Sequence, residues 1–389
     1  MPKKGEGAEE SQPEPNPTPR TSASPEAGRG RKGIPPKAKP KGGLRHGRFA
    51  GRRIEAGDTV EVDLKVSETV THQPMRVPVT VARGEKDGPI LFVTSALHGD
   101  EINGIAVVRR LLDGIEKTLV RGTLVAVPVA NRFGFDARDR YLPDRRDLNR
   151  AFPGDARGHM AARIAQVLFR QVVLPCDAGI DLHTAAAGNT NLCHIRGDAD
   201  DTRVRPLMRA FGIPVMVHGD GPRGSLRRAA TDAGIPTILF EAGEPGRFQR
   251  HVVQVGHQGL LRLMHHLGMV ATPPPRPKLQ ILVRSSAWVR SDHGGILDLG
   301  VEPGDLVRKG QALGSIHEPL GKHVDQVEAP HSGVVLGTST SPLVFPGMAI
   351  VHIGRLDKTF ARAEAHVKAG GDLGHLSAVA APRRRKAGA

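Results

Sequence analysis

His98 and Glu101 stand three residues apart in His98-Gly99-Asp100-Glu101, and an imidazole and a carboxylate at that spacing on one turn can reach a single cation. The run ahead of them, Pro89-Ile90-Leu91-Phe92-Val93-Thr94, is continuously apolar, and a helical pattern at Ile105, Val108, Leu111 and Leu112 follows. That order reads as a buried strand feeding a helix. A second imidazole, His183, closes the short strand pattern Ala178-Gly179-Ile180-Asp181-Leu182. Asp181 and His183 share a strand face, which makes Asp181 a candidate to hold the ring from behind. Two imidazoles and a carboxylate suit zinc and leave an open position for water. Glu241 ends a third apolar stretch, Pro236-Thr237-Ile238-Leu239-Phe240, where a buried carboxylate needs a partner. Taken alone, His-x-x-Glu is short enough to arise by chance, and histidines unrelated to any metal are the plain alternative.

These groups fall where apolar strands end, which is where open α/β sheets place their sites. The rest of the chain supplies such a sheet. Alternation at Val60, Val62 and Leu64, and again at Val77, Val79 and Val81, predicts two strands. Strands are also predicted at Thr123–Val129, Asn191–Ile195 and Val215–Val217, with helices at Met160–Val173, Val204–Phe211, Ser225–Ala233 and about Phe248–Leu267. The Thr272-Pro273-Pro274-Pro275-Arg276-Pro277 segment breaks the pattern and reads as a linker. Short strands and glycine turns follow from Gln280 to Ile353. Within them, Gly304–Leu313 and Glu328–Val335 resemble the half-motifs of lipoyl/biotinyl-like barrel-sandwich modules, with Lys322 outside the context of a modifiable lysine. The expected organisation is a tail at 1–53, a catalytic α/β domain at 54–271, a linker at 272–278, an all-β barrel-sandwich-like capping domain at 279–356 and a second tail at 357–389.

Composition narrows the class. The formal net charge of +15 sits mainly at the ends: Met1–Arg53 holds 13 Lys/Arg against 5 Glu, and Arg383-Arg384-Arg385-Lys386 adds four more cations. The interior is close to balanced, so a specific nucleic-acid groove is not implied, and the basic tails suit weak contact with acidic surfaces at most. No apolar run is long enough to span a membrane, the N-terminus has no secretory apolar stretch, and the two cysteines, Cys176 and Cys193, do not make a disulfide framework. A cytoplasmic enzyme fits these features, with a homo-oligomer left open.

Between the first two sites lies the arginine-rich segment Arg140–Gly154, with Arg140, Arg145, Arg146 and Arg150. With it, the motifs His98-Gly99-Asp100-Glu101, Arg140-Tyr141, Asp147-Leu148-Asn149-Arg150, Asp181-Leu182-His183-Thr184 and Phe240-Glu241-Ala242-Gly243 occur in the order of the succinylglutamate desuccinylase/aspartoacylase family. The chain resembles that family, a branch of the zinc-carboxypeptidase-like hydrolases, from about residue 75 to 355. The resemblance implies a three-layer domain with a largely buried mixed sheet and one Zn2+ per chain, held by His98, Glu101 and His183. It implies Glu241 as general base, Arg140 as stabiliser of the oxyanion, and Asn149 and Arg150 as holders of a substrate carboxylate. Arg227, in Gly224-Ser225-Leu226-Arg227, aligns loosely with a second carboxylate-binding arginine, against the alternative of a surface helix residue. The chain departs from the pattern in one respect: its only tyrosine is Tyr141, so the tyrosine that relatives bring from a later segment is missing. The implied activity is removal of an acyl group from an N-acyl amino acid or related small amine. A metallocarboxypeptidase and a catalytically silent binding protein are the alternatives.

Overall fold

The computed structural model describes residues 43–374, of Val324 the backbone only; the expected tail segments at 1–42 and 375–389, with the Arg383–Lys386 run, lie outside the described residues. A short hairpin, β1 (Arg48–Phe49) and β2 (Arg52–Arg53), precedes three long strands, β3 (Thr59–Glu68), β4 (Pro74–Arg83) and β5 (Lys86–Ser95). Helices α1 (Asn103–Leu112) and α2 (Ile115–Thr118) lead to β6 (Arg121–Val127). Next come α3 (Arg132–Ala137), α4 (Met160–Leu168), β7 (Ala178–His183) and β8 (Asn189–Gly197). The alternating part closes with α5 (Val204–Phe211), β9 (Val215–His218), α6 (Leu226–Asp232), β10 (Thr237–Gly243) and α7 (Arg250–His266). After the prolines run β11 (Ile281–Val283), β12 (Ser286–Arg290), β13 (Gly295–Leu299), β14 (Leu306–Val307) and β15 (Ala312–His317). The last elements are β16 (His323–Glu328), β17 (Gly333–Ser339), β18 (Leu343–Val344), β19 (Ala349–Arg355) and α8 (Phe360–Lys368).

One sheet of 13 strands organises the molecule, in the order β12-β19-β17-β8-β10-β7-β5-β6-β4-β3, with β9 on β8, β11 on β9 and β14 on β17. Its centre, β10-β7-β5-β6, is parallel, β8 and β4 join it antiparallel, and β9 and β11 add a parallel pair beside β8, so the sheet is mixed as expected. Strands buried on both faces need apolar cover on both. One face packs Val107, Leu111, Phe211, Leu260 and Leu263 from α1, α5 and α7. The other packs Ile164, Leu168, Leu226 and Ala230 from α4 and α6. That is the three-layer arrangement. Cys176 and Cys193 are buried thiols, and no helix among the described residues is long and apolar enough to cross a membrane.

The structure differs from the expected boundaries at three places. Leu44 and Phe49, placed in the N-terminal tail, are buried in the core beside Ile54, so the folded part begins by residue 43. The β-rich region after the prolines is present, but only β13, β15, β16 and β18 form a separate sheet; β11, β12, β14, β17 and β19 extend the central one. Its apolar side chains Ile281, Val283, Val334 and Leu336 share a core cluster with Leu192, Val215 and Val217 of the α/β part, which joins the two regions through packing as well as hydrogen bonds. The expected second tail carries α8, whose Phe360 and Ala363 are buried in that same cluster with Leu373. Short elements that bury one or two side chains leave little periodicity to read.

Candidate active site

The turn after β5 is set by backbone contacts. Ala96 adopts a left-handed conformation, and its carbonyl accepts from Asn131 N at 2.9 Å. Gly99 lies so close to α3 that a Cβ there would meet the Gly134 carbonyl carbon at 1.9 Å. The glycine is therefore required for the turn to dock and for His98 and Glu101 to turn inward. His183 is the last residue of β7 and pairs in register with Glu241 on the neighbouring β10. The carboxyl ends of β5, β7 and β10 thus bring the four residues together.

At the centre is Glu101, 1% exposed. Its Oε1 lies 2.6 Å from His98 Nδ1 and its Oε2 lies 2.8 Å from His183 Nδ1. Thr184 N donates to Oε2 at 3.0 Å and Arg140 to Oε1 at 3.1 Å. Each ring is held from behind through Nε2, His183 by Asp181 at 2.7 Å and His98 by Asp147 at 3.1 Å. Asp181 also accepts from Thr94 Oγ1 at 2.7 Å, so the support is itself anchored. Burial alone would raise the Glu101 carboxyl; the two imidazoles reverse this and hold it well below the usual carboxylate range. Burial alone would lower His183, and Asp181 and Glu101 raise it well above the ordinary imidazole value. One ring nitrogen from each histidine and a carboxylate oxygen, all within 4.8 Å of one another, form a nitrogen–oxygen donor set that fits a divalent cation such as zinc. A second carboxylate–imidazole group, Asp198, Asp200 and His218, brings its ligand atoms equally close, but Asp200 is exposed and paired with Arg284.

The arginine-rich segment docks beside this centre. Asp147 caps the short 3-10 turn Leu148–Arg150, accepting from Asn149 N at 2.8 Å, and also accepts from Arg140 at 3.2 Å. Asn149 Oδ1 accepts from Leu226 N at 2.9 Å, tying the segment to α6, and Phe152 N donates to Gly224 O at 2.9 Å. Arg150 donates to Asn149 O at 2.8 Å and stays half-exposed at the pocket. Glu241 is reached by Asn191 Nδ2 at 3.1 Å, with an Arg196 nitrogen 3.6 Å away. Burial raises its carboxyl above the ordinary value, against the opposing pull of Arg196. Arg227 is 7% exposed, which excludes the surface-helix alternative, and its guanidinium donates to Gly219 O at 2.7 Å.

The eight residues expected as ligands, catalytic groups or substrate holders all line one pocket of about 270 Å³, with Asp181 behind His183. It also holds side chains that local motifs did not mark: Asn191, His194 and Arg196 of β8, Trp288 of β12 and His352 of β19. Between the pairs Glu241↔His194 and Gly243↔Asn191, β8 has one residue more than β10. Such a bulge changes the phase of alternation, so Asn191 faces the pocket with His194 and Arg196. Trp288 and His352 stack with ring centroids 4.7 Å apart, and they occupy the wall that the later segment contributes, where no tyrosine is available. Asp147, quoted within a motif but given no role, proves to be the support of His98.

Residues 87–267 match the family model described as the succinylglutamate desuccinylase/aspartoacylase catalytic domain. The chain is 31% identical over 277 residues to the N-alpha-acetyl-L-2,4-diaminobutyric acid deacetylase of Halomonas elongata, covering 67% of this chain and 80% of that protein. Among solved structures, the product-bound ectoine utilization protein EutE (DoeB) of Ruegeria pomeroyi superposes with a TM-score of 0.69 at 22% identity, over 77% of this chain and 95% of that one. A succinylglutamate desuccinylase of a Silicibacter species gives 0.68 at 22% identity, with the same coverage. At those identities the structures speak for the fold, and the Halomonas relative carries the family. The chain belongs to the succinylglutamate desuccinylase/aspartoacylase family, whose members are hydrolytic deacylases.

Proposed function

We propose that the protein is a zinc-dependent amide hydrolase that removes the acyl group from a small N-acyl amino acid. The observation that carries this is the convergence of His98 Nδ1 and His183 Nδ1 on the buried Glu101 carboxylate, one strand away from the partly buried Glu241. A zinc ion held by these three groups would supply Lewis acidity toward water and the amide carbonyl. Glu241, with its carboxyl raised by burial, is suited to take the proton of the attacking water and to deliver it to the departing nitrogen. Arg140, fixed by Glu101 and Asp147, stands ready for the negative charge that develops on the carbonyl oxygen. Arg150, half-exposed beside Asn149, has guanidinium nitrogens available for the α-carboxylate.

Pocket size favours a small substrate over a peptide C-terminus. The space of about 270 Å³ has Trp288 and His352 in its lining. The diaminobutyrate derivative named for the Halomonas relative and the acidic N-acyl amino acids of the family both fit within that class. Metal analysis of the purified protein, followed by a screen of N-acyl amino acids with zinc present, tests the reading. About one zinc per chain and release of a free amino acid are expected, and H183A is expected to lose both. Stoichiometric zinc in H183A would overturn the ligand assignment.

A further inference from the structure

The carboxylate of Glu241 is held very differently from that of Glu101. Among the described residues, one hydrogen bond reaches it: Asn191 Nδ2 donates to Oε1 at 3.1 Å. Oε2 has only the 3.6 Å approach of an Arg196 nitrogen, longer than a hydrogen bond. A glutamate carries its carboxylate at the end of several side-chain torsions, the last of them broad. The place of Glu241 on β10 therefore does not by itself fix where its oxygens point. A base that must meet one water and one departing nitrogen needs that direction fixed.

Asn191 is itself pinned from two sides. On one edge of β8 the bulge against β10 turns it to the face of the sheet that Glu241 occupies. On the opposite edge it pairs with Gly337 of β17. A Cβ at position 337 would meet Asn191 Oδ1 at 2.4 Å and Thr190 O at 2.9 Å. Gly337 has no positive φ that would call for glycine; the close approach does. The carbonyl end of the Asn191 amide thus lies against the β17 backbone, and the nitrogen end faces Glu241. The reverse orientation would set a carbonyl oxygen against an ionised carboxylate, acceptor to acceptor.

We propose that Asn191, packed on Gly337, is the positioning residue of the general base: it holds Glu241 Oε1 and leaves Oε2 free to take the proton. The inference rests on the deacylase reading, in which Glu241 is that base. It gives the region after the prolines a part in the chemistry beyond walling the pocket. β17 sets the aim of a carboxylate on β10, through one amide on the strand between them.

Steady-state kinetics of zinc-loaded wild type, N191A, G337A, E241Q and the double variant N191A/E241Q test this. The substrate is N-acetyl-L-2,4-diaminobutyrate or N-acetyl-L-aspartate, whichever is turned over faster. N191A should lower kcat by about ten- to a hundredfold with KM little changed, because the group misplaced is the base and not a substrate contact. G337A should show the same split, although it leaves every polar side chain of the pocket in place. The double variant should be no slower than E241Q alone, since Asn191 then has no base left to aim. A further tenfold fall in the double variant overturns the proposal, because Asn191 would be acting on something else. So does a raised KM with unchanged kcat in N191A, which would make Asn191 a substrate contact. Inactivity of the wild type toward both substrates, or full activity of E241Q, defeats the deacylase reading instead. Hydrogen exchange at the Asn191 side-chain amide, followed by NMR in nitrogen-15-labelled protein, then still decides the contact. Exchange that is slow in the wild type and faster in both E241A and G337A upholds the placement, and equal exchange in all three sinks it.

Discussion

Glu241 and Arg150 line the same pocket, and their chemistry predicts that they fail differently when replaced. Glu241 acts on a proton in flight, so E241Q should keep its zinc and substrate affinity while kcat falls by roughly two to four orders of magnitude. Because burial raises this carboxyl above the ordinary 4.5, and only its ionised form accepts a proton, kcat/KM of the wild type should climb as pH rises through that raised value. A pH–rate profile checks this; an acid limb that survives unchanged in E241Q would assign it to another group. Arg150 meets a carboxylate charged in ground and transition states alike, so R150A should raise KM strongly with a smaller effect on kcat. Steady-state kinetics of R150A decides, and an unaltered KM would remove Arg150 from substrate binding. His98, Glu101, His183 and Glu241 stood out in the sequence because each closes or closely follows an apolar run, a position set by local pattern. The depth of Arg227 was not, since burial depends on how α6 packs and not on its neighbours in the chain.

Elements position these side chains through close backbone approaches that a single added carbon disrupts. The clearest is Gly99 against Gly134, where the turn after β5 meets α3. A methyl group there must push the turn away, so G99A should lower Tm and zinc retention together, with a stability loss of about 1–3 kcal/mol or more for overpacking. A melting curve and a metal titration on the same preparation test the coupling; lost stability with full zinc affinity would show that the turn moves without its ligands. The strands and the long helices were readable from period and apolar runs, and α1, α5 and α7 fall where the pattern places them. α3 was not, because six residues complete too few turns to show a stripe. The bulge in β8 was equally silent: it exists only in relation to β10, and it decides that Asn191 joins His194 and Arg196 at the pocket.

For the molecule as a whole, the boundaries expected from composition fall inside the folded part. Leu44 and Phe49 are buried against the core of the α4–α6 face, and Arg45 pairs with Asp177. A chain beginning at Ile54 should therefore be less stable than one beginning at Gly43, by about 3–6 kcal/mol for the two side chains as an upper bound. Denaturant unfolding of both chains measures it, and equal midpoints would show that the hairpin contributes nothing. The capping region likewise read as a separate module because its glycine turns and short strands change the pattern abruptly at the prolines. Long-range pairing, which local pattern does not encode, makes it part of the central sheet: Gly337, Thr338 and Ser339 of β17 pair with Asn191, Thr190 and Asn189 of β8. That pairing sets a schedule for biosynthesis. A nascent chain emerging at about 5–20 residues per second has His98, Glu101, His183 and Glu241 all out once residue 241 is made, yet the strands that bring Trp288 and His352 to the pocket wall are not all made until Arg355. Until β17 is made at Ser339, the Asn189–Asn191 edge of β8 that it will cover lies bare, an open strand edge of the kind that invites edge-to-edge association.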